Sequence, residues 1–373
     1  MNMMIELRND LRRIWREPVF WLVPLVLAVV LMLPLRPVTH ETTVQTMVRE
    51  AKTDASTMKL DNMRSLAQGN KAKTADYHAA VAERSKLQQI ARRGDRVAYA
   101  KSMSRFMTLE ERVEGTAPSD FQGFHYLAKH SMPIYFYNIE RQREPVLKYL
   151  GENLGLTYQS MFILVILAVT VAYLIWLPQH KDERAQFSLV PRRPVTVQLA
   201  QASAVFISVS AAFIGSVILA SLVPLVRNGF GQWLYPIVHN TSEQNQIFAA
   251  GPLVLGQILL VIAFVFLLTG IGTLALTLRP TLVTNVVVQL VFVLGASLTT
   301  ANGVAPQNLF RFIPSTYVWT RGVMMGSGSM QFEINAFGLV GGLLVLGVYG
   351  CLALGLAGYL VHRRAGRLCT VAM

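Results

Sequence analysis

The chain is predicted to be an all-α polytopic membrane protein: six transmembrane helices, with a large helical extracellular domain between spans one and two. Three observations predict this class. Of 373 residues, 53% are hydrophobic and only 15% charged, where soluble domains carry about 25% charged residues. The mean hydropathy is +0.40. Charge is also segregated: most Lys, Arg, Asp and Glu lie in residues 1–17, 36–152, 179–193 and 360–367. Between them run apolar stretches near the roughly 20 residues that a helix needs to cross the hydrocarbon.

Residues 1–17 read as a cytoplasmic amphipathic helix. Met4, Leu7, Leu11, Ile14 and Trp15 recur at helical spacing, with Arg8, Arg12, Arg13 and Arg16 opposite, a pattern that suits the headgroup plane. Pro18 marks a bend into the first span, residues 18–35. No small-x-small cleavage site follows this span, so it reads as a retained anchor rather than a signal peptide.

Residues 36–156 form the extracellular domain. Val44, Met47, Ala51, Ala55 and Met58 make one apolar stripe. Tyr77, Ala80, Val81, Leu87 and Ile90 make a second, and Ala100, Met103, Phe106 and Met107 a third. These predict long helices in a hairpin or small bundle, punctuated at Gly69-Asn70 and Gly94-Asp95. Phe121, Phe124, Tyr126, Tyr135, Phe136 and Tyr137 then form an aromatic segment. Such rings either collar the membrane interface or close a small core. Cys351 and Cys369 lie in the last span and its tail, so the domain is held by helix packing without disulfides.

The second span covers residues 157–178 and is followed by a charged loop, residues 179–196. Residues 197–361 hold four more spans, at about 197–226, 252–278, 281–301 and 335–361, and residues 362–373 form a cytoplasmic tail. Lys and Arg orient the chain: they cluster before span one, between spans two and three, at Arg279, and after span six. These groups fall on one side of a six-span layout, which places both termini in the cytoplasm of a bacterial plasma-membrane protein. Span six is rich in glycine, and Gly338 and Gly342 make a G-x-x-x-G pair suited to close helix approach.

The spans contain no Asp, Glu, Lys or Arg. An ionisable residue at mid-bilayer is costly and usually marks an ion route, so the chain does not read as an ion pump or a proton-coupled carrier. Gln257, Asn285 and Gln289 are the candidate path-lining residues; Asn285 and Gln289, four apart, share a helix face. The structural use of such residues is hydrogen bonding between helices. A net charge of +13 here records orientation and anionic lipid rather than nucleic acid, since no zinc-finger or RNA-binding motif accompanies it. There is no H-E-x-x-H, no G-x-S-x-G and no phosphate-binding P-loop. The expectation is a chain that is not an enzyme and binds no metal or nucleotide itself.

The loop KDERAQFSLVPRRPV, Lys181–Val195, asks for a purpose. A charged block ended by prolines suits a short helix on the inner membrane face, a knob that a soluble partner can push. Here the chain resembles the permeases of the ABC-2 family of ATP-binding-cassette exporters. Glu183-Arg184 and Pro191 match that family's coupling-helix loop, although Ala185-Gln186-Phe187 replaces the usual Gly-Thr. IPSTYVWTRGVMMG, Ile313–Gly326, resembles the family's motif before the last span through Pro314, Tyr317, Arg321 and Gly322. The amphipathic start resembles its connecting helix.

The resemblance implies a permease forming the path for an amphipathic peptide, drug or lipid, with ATP and Mg bound on a separate nucleotide-binding ATPase subunit. It implies that Asp182, Glu183, Arg184, Phe187, Leu189 and Pro191 meet that subunit, together with Leu11, Ile14 and Trp15 of the connecting helix. A second permease copy and membrane lipids complete the partners, and no nucleic acid is among them. The alternative is a receptor or sensor subunit whose extracellular domain binds a ligand. A membrane-bound enzyme of lipid or peptide is a third reading, and it lacks converging polar residues.

Overall fold

The computed structural model describes residues 3–35, 42–54, 57–116, 118, 120–136, 143–154, 171, 194–240, 245–279, 281–301, 312–318, 320–325 and 338–371. The chain is mostly helical, and it divides into two compact units. One comprises Met1–Leu33, Asn153–Leu222 and Leu255–Met373; the other comprises Pro34–Glu152 and Val223–Val254.

In the first unit, α1 (Met3–Arg16) and α2 (Pro18–Met32) are separated by Glu17. The two helical segments, Met3–Arg16 and Phe20–Leu35, meet at a 65° bend. Pro18 opens α2, where its missing N–H costs nothing. The indole N–H of Trp21 donates to the Trp15 carbonyl at 3.0 Å and bridges the corner. Three long helices follow: α9 (Pro194–Asn228), α10 (Ala250–Leu278) and, last, α13 (Gly338–Val371). Between α10 and α13 come α11 (Leu282–Ala301), a 3-10 turn (Pro314–Val318) and the short α12 (Thr320–Met325).

Among the described residues, three helices are long and apolar enough to cross a membrane: Pro194–Asn228, Ala250–Leu278 and Gly338–Arg364. The bent pair α1–α2 makes a fourth if it counts as one span, and Leu282–Val291 is a shorter apolar helix. The expected second span, 157–178, lies outside the described residues except for Val171, which is helical and buried.

Glycine sets how α10 and α13 meet. A Cβ on Gly270 would fall 2.8 Å from the Gly350 carbonyl oxygen, and one on Gly350 would fall 2.6 Å from the Phe266 ring. So the close crossing uses Gly350 rather than the Gly338–Gly342 pair. Gly338 opens α13 with φ +66° and has nothing within 4 Å, whereas Gly342 receives the side chains of Leu260 and Tyr317. α2 and α9 are joined differently: the Ser216 hydroxyl lies 3.0 Å from the Pro24 carbonyl oxygen and 2.6 Å from that of Ala212.

The second unit contains α3 (Thr43–Asp54), α4 (Thr57–Ala67), α5 (Lys71–Arg93), α6 (Arg96–Glu114), α7 (Phe121–Lys129) and α8 (Val146–Asn153). α5 and α6 form the expected hairpin, with α3 and α4 against α5 and α7 against α6. The turn chemistry follows the sequence. Asn70 caps α5 by accepting from Ala72 and Lys73 N–H, and Asp95 caps α6 through Val97 and Ala98 N–H. Gly94 ends α5 at φ 73°, in the left-handed region that glycine enters freely.

The core takes Met47 and Ala51 of the first predicted stripe, Ala80 and Leu87 of the second, and all four residues of the third. Val44 and Val81 are exposed instead, and the Ala55 and Met58 side chains lie outside the description. Phe136 packs edge-on against fully buried Tyr99, and Tyr135 against Tyr235. These two predicted rings therefore serve core closure.

An antiparallel ribbon of β1 (Pro236–Asn240) and β2 (Asn245–Ala249) adds strand structure that the all-α expectation omitted. Its pairing runs from Pro236↔Ala249 to Asn240↔Asn245. Ile237, Val238, Ile247 and Phe248, placed on either side of the polar sequence Thr241-Ser242-Glu243-Gln244, are its hairpin signal. In the sequence, residues 227–251 are the loop between the spans at 197–226 and 252–278.

Glu110 of α6 is buried and paired with Lys59 at 3.1 Å. Burial raises its pKa above the ordinary 4.5, and Lys59 only partly offsets this. Because the folded value lies above the unfolded one, proton binding favours the folded chain. The contribution of Glu110 thus becomes more favourable as pH falls through the raised value, and levels off below about 4.5. Lys59→Met is expected to destabilise this unit by about 1–3 kcal/mol at pH 7, the cost of leaving a buried group without its partner. Denaturant melts at pH 7 and pH 4 check this: the loss should shrink at the lower pH.

Candidate functional site

Several buried polar residues of the first unit gather where α9 begins and α10 ends. The Gln198 side-chain N–H donates to Thr277 Oγ at 2.8 Å, and the Thr277 hydroxyl donates to the Thr273 carbonyl at 2.7 Å. The Arg364 guanidinium, in the last turns of α13, donates to the Thr277 carbonyl, where a cation also suits the negative end of the α10 dipole. Three helix ends are thus fastened by one threonine.

Asn285 and Gln289 of α11 are each 1% exposed. Gln289 Nε2 donates to Asn285 Oδ1 at 2.8 Å, so the shared face read from their spacing is real. The pair lies on bare Gly272 of α10: a Cβ there would stand 2.7 Å from Gln289 Nε2 and 3.0 Å from Asn285 Oδ1. Gly272 and Thr277 are five residues apart, about 7.5 Å along the helix axis. The structure therefore brings Asn285 and Gln289 to the same end of α10 as Gln198, Thr273 and Thr277. Gln257, also fully buried, is fifteen residues before Gly272, about 22 Å away along α10, so it does not join them.

Among the described residues, Asn285 Nδ2, Gln289 Oε1 and Gln198 Oε1 have no hydrogen-bonding partner. In an apolar interior each such group costs several kcal/mol. Gln198 and Thr277 were missed in the sequence because Gln198 sits at the edge of an apolar run, where a polar residue reads as a flank. Its recurrence with Gln201 one turn later was the available signal.

The motif before the last span is a buried turn. Pro314 and Tyr317 lie in the 3-10 segment, and Tyr317 is fully buried. Its ring fills the notch at Gly342, where a Cβ would be 2.8 Å from Tyr317 Cδ1. Arg321 and Gly322 are in α12, which packs on α13. In α1, Ile14 is fully buried, Leu11 half-buried and Trp15 46% exposed, so the predicted stripe splits and Trp15 faces outward with Arg8, Arg12 and Arg16. Asp182, Glu183, Arg184, Phe187, Leu189 and Pro191 lie outside the described residues.

The second unit buries a charge cluster that sequence reading did not single out. The Lys148 ammonium contacts Glu144, stands 3.3 Å from Glu152 and donates to the Tyr135 carbonyl at 3.1 Å. The ammonium thus donates to Glu144 and to the Tyr135 carbonyl and forms an ion pair with Glu152. Burial alone would favour neutral Lys148, but Glu152 and Glu144 outweigh it and hold its pKa above the usual lysine range. Burial likewise pushes the Tyr235 phenol up, with Lys148 opposing and the two carboxylates adding to the rise. Glu144, Lys148 and Glu152 recur at i, i+4, i+8, a pattern legible as one helix stripe. What concealed it was the surrounding charged composition, in which such a stripe reads as solvated.

Among the described residues no cluster of three His, Cys, Asp or Glu is placed to hold a metal. No protein-family model, no curated protein and no solved structure matches the chain.

Proposed function

We propose that the chain is the membrane permease subunit of an ATP-driven exporter of the ABC-2 type, with six spans and with residues 36–156 outside the cell. The single observation that carries the reading is the buried turn before the last helix, with Tyr317 seated at Gly342. That is the place where the family's Pro-x-x-Tyr motif stands, and it couples the approach segment to the final span. A basic amphipathic helix bent by 65° from an apolar one supports it at the other end of the chain. The interior of the long helices carries amides and hydroxyls but no ionisable side chain, so the driving energy has to be delivered from a partner.

That partner is a nucleotide-binding ATPase gripping Asp182–Pro191 and the first helix at the inner face, with two permease copies forming the path for a peptide, drug or lipid. ATP and Mg belong to the partner, and this chain performs no catalysis. The test is co-purification and coupled turnover. The wild-type chain should capture an ATPase subunit whose hydrolysis it stimulates. Glu183→Ala and Phe187→Ala should leave membrane insertion intact and reduce that stimulation about tenfold or more. Equal stimulation by the variants, or placement of Glu183 on the outer side by cysteine labelling, would end the reading.

A further inference from the structure

Among the described residues of the first unit, Asn285 and Gln289 pair a buried unmet donor with a buried unmet acceptor on neighbouring side chains. We propose that Asn285 and Gln289 form a subsite for the backbone amide of a peptide. The inference rests on the exporter reading only in calling that peptide cargo. The two side chains spend one donor and one acceptor on each other. What remains is the Asn285 Nδ2 donor and the Gln289 Oε1 acceptor, both unmet and both on residues that are 1% exposed.

A donor and an acceptor on neighbouring side chains complement a group that accepts on one atom and donates from the next, as a peptide C=O and N–H do. The pair itself is two neutral amides, which match a neutral amide rather than a charged headgroup. Gln198 Oε1 is a further unmet acceptor toward the same end of α10. The pair packs directly on Gly272, where a Cβ would stand 2.7 Å from Gln289 Nε2, so a side chain at that position would displace it.

The experiment measures binding to the purified chain in lipid nanodiscs, without any ATPase. Two probes are compared: dansyl-labelled trileucine amide, and its depsipeptide in which one backbone N–H is replaced by an ester oxygen. The wild type is expected to prefer the amide about tenfold or more, because the ester leaves a buried acceptor unmet. Asn285→Leu/Gln289→Leu should bring the preference to unity while raising the melting temperature, as removal of unmet polar groups from an apolar interior should. Gly272→Ala, which displaces the pair without removing it, should lower the preference and serves if the double variant does not fold.

Equal binding of the two probes by the wild type, no binding of either, or an unchanged preference in the variants would overturn the proposal. None of these outcomes touches the exporter reading, which is decided by ATPase capture and the Glu183 and Phe187 variants.

Discussion

Lys148→Met is expected to unfold the second unit, or to lower its stability by about 3–5 kcal/mol, the loss typical when one partner is taken from a buried ion cluster. The reason is the company that Lys148 keeps. It is 4% exposed, and the carboxylates of Glu144 and Glu152 are buried beside it. Without the ammonium, two negative charges face each other in a region that water does not reach.

Around the cluster, the first N–H groups of α8 are met by carbonyls of the segment after α9: Val146 N–H donates to Gly229 and Leu147 N–H to Phe230. Asn228 likewise donates to the Glu144 carbonyl. Displacing Glu144 therefore loosens the start of α8 as well. Limited proteolysis and thermal melts read the loss directly. The companion variant Lys148→Met/Glu144→Gln/Glu152→Gln removes the charges together and should recover most of it, since buried pairs replaced by neutral groups are often nearly neutral in stability. No recovery would show that packing, not charge, governs the cluster.

Gly270→Leu is expected to separate α10 from α13, with a cost above the 1–3 kcal/mol usual for overpacked cores. The obstacle at Gly270 is backbone: the Gly350 carbonyl at 2.8 Å and its Cα at 3.3 Å from the would-be Cβ. A side-chain obstacle could turn aside, but a helix backbone has to move bodily. The control is Gly355→Leu, on the same helix as Gly350 but with nothing within 4 Å. That change should be neutral or stabilising by up to about 1 kcal/mol, as the helix cost of glycine is relieved. Thermal unfolding in detergent compares the two; equal effects would mean that the glycine crossing does not set the helix spacing.

Much of this was legible from residue order. The caps at Asn70 and Asp95 and the stripe Ala100, Met103, Phe106 and Met107 depend on neighbours within one or two helical turns, which a linear reading sees. The face shared by Asn285 and Gln289 is of the same kind. What was hidden depends on partners distant in sequence. Gly350 looked like one of many glycines until Gly270 was found opposite, and Gln198 looked like a flank until Thr277 met it. The G-x-x-x-G spacing of Gly338 and Gly342 fits a close helix pairing, yet one residue serves as a helix start and the other as a notch for Tyr317. The short ribbon at Pro236–Ala249 was missed because a five-residue strand presents too few alternations to stand out between long apolar runs.

The contacts along α10 and α13 constrain how the first unit can move. Leu260 reaches Gly342 near one end, Gly270 meets Gly350 farther along, and Arg364 holds Thr277 at the other. A slip of one helical turn, about 5.4 Å of travel, would bring Leu274 or Leu346 to the point where only a bare Cα fits. The two helices are in effect toothed against sliding, so they can rock together as one beam but cannot ratchet past each other.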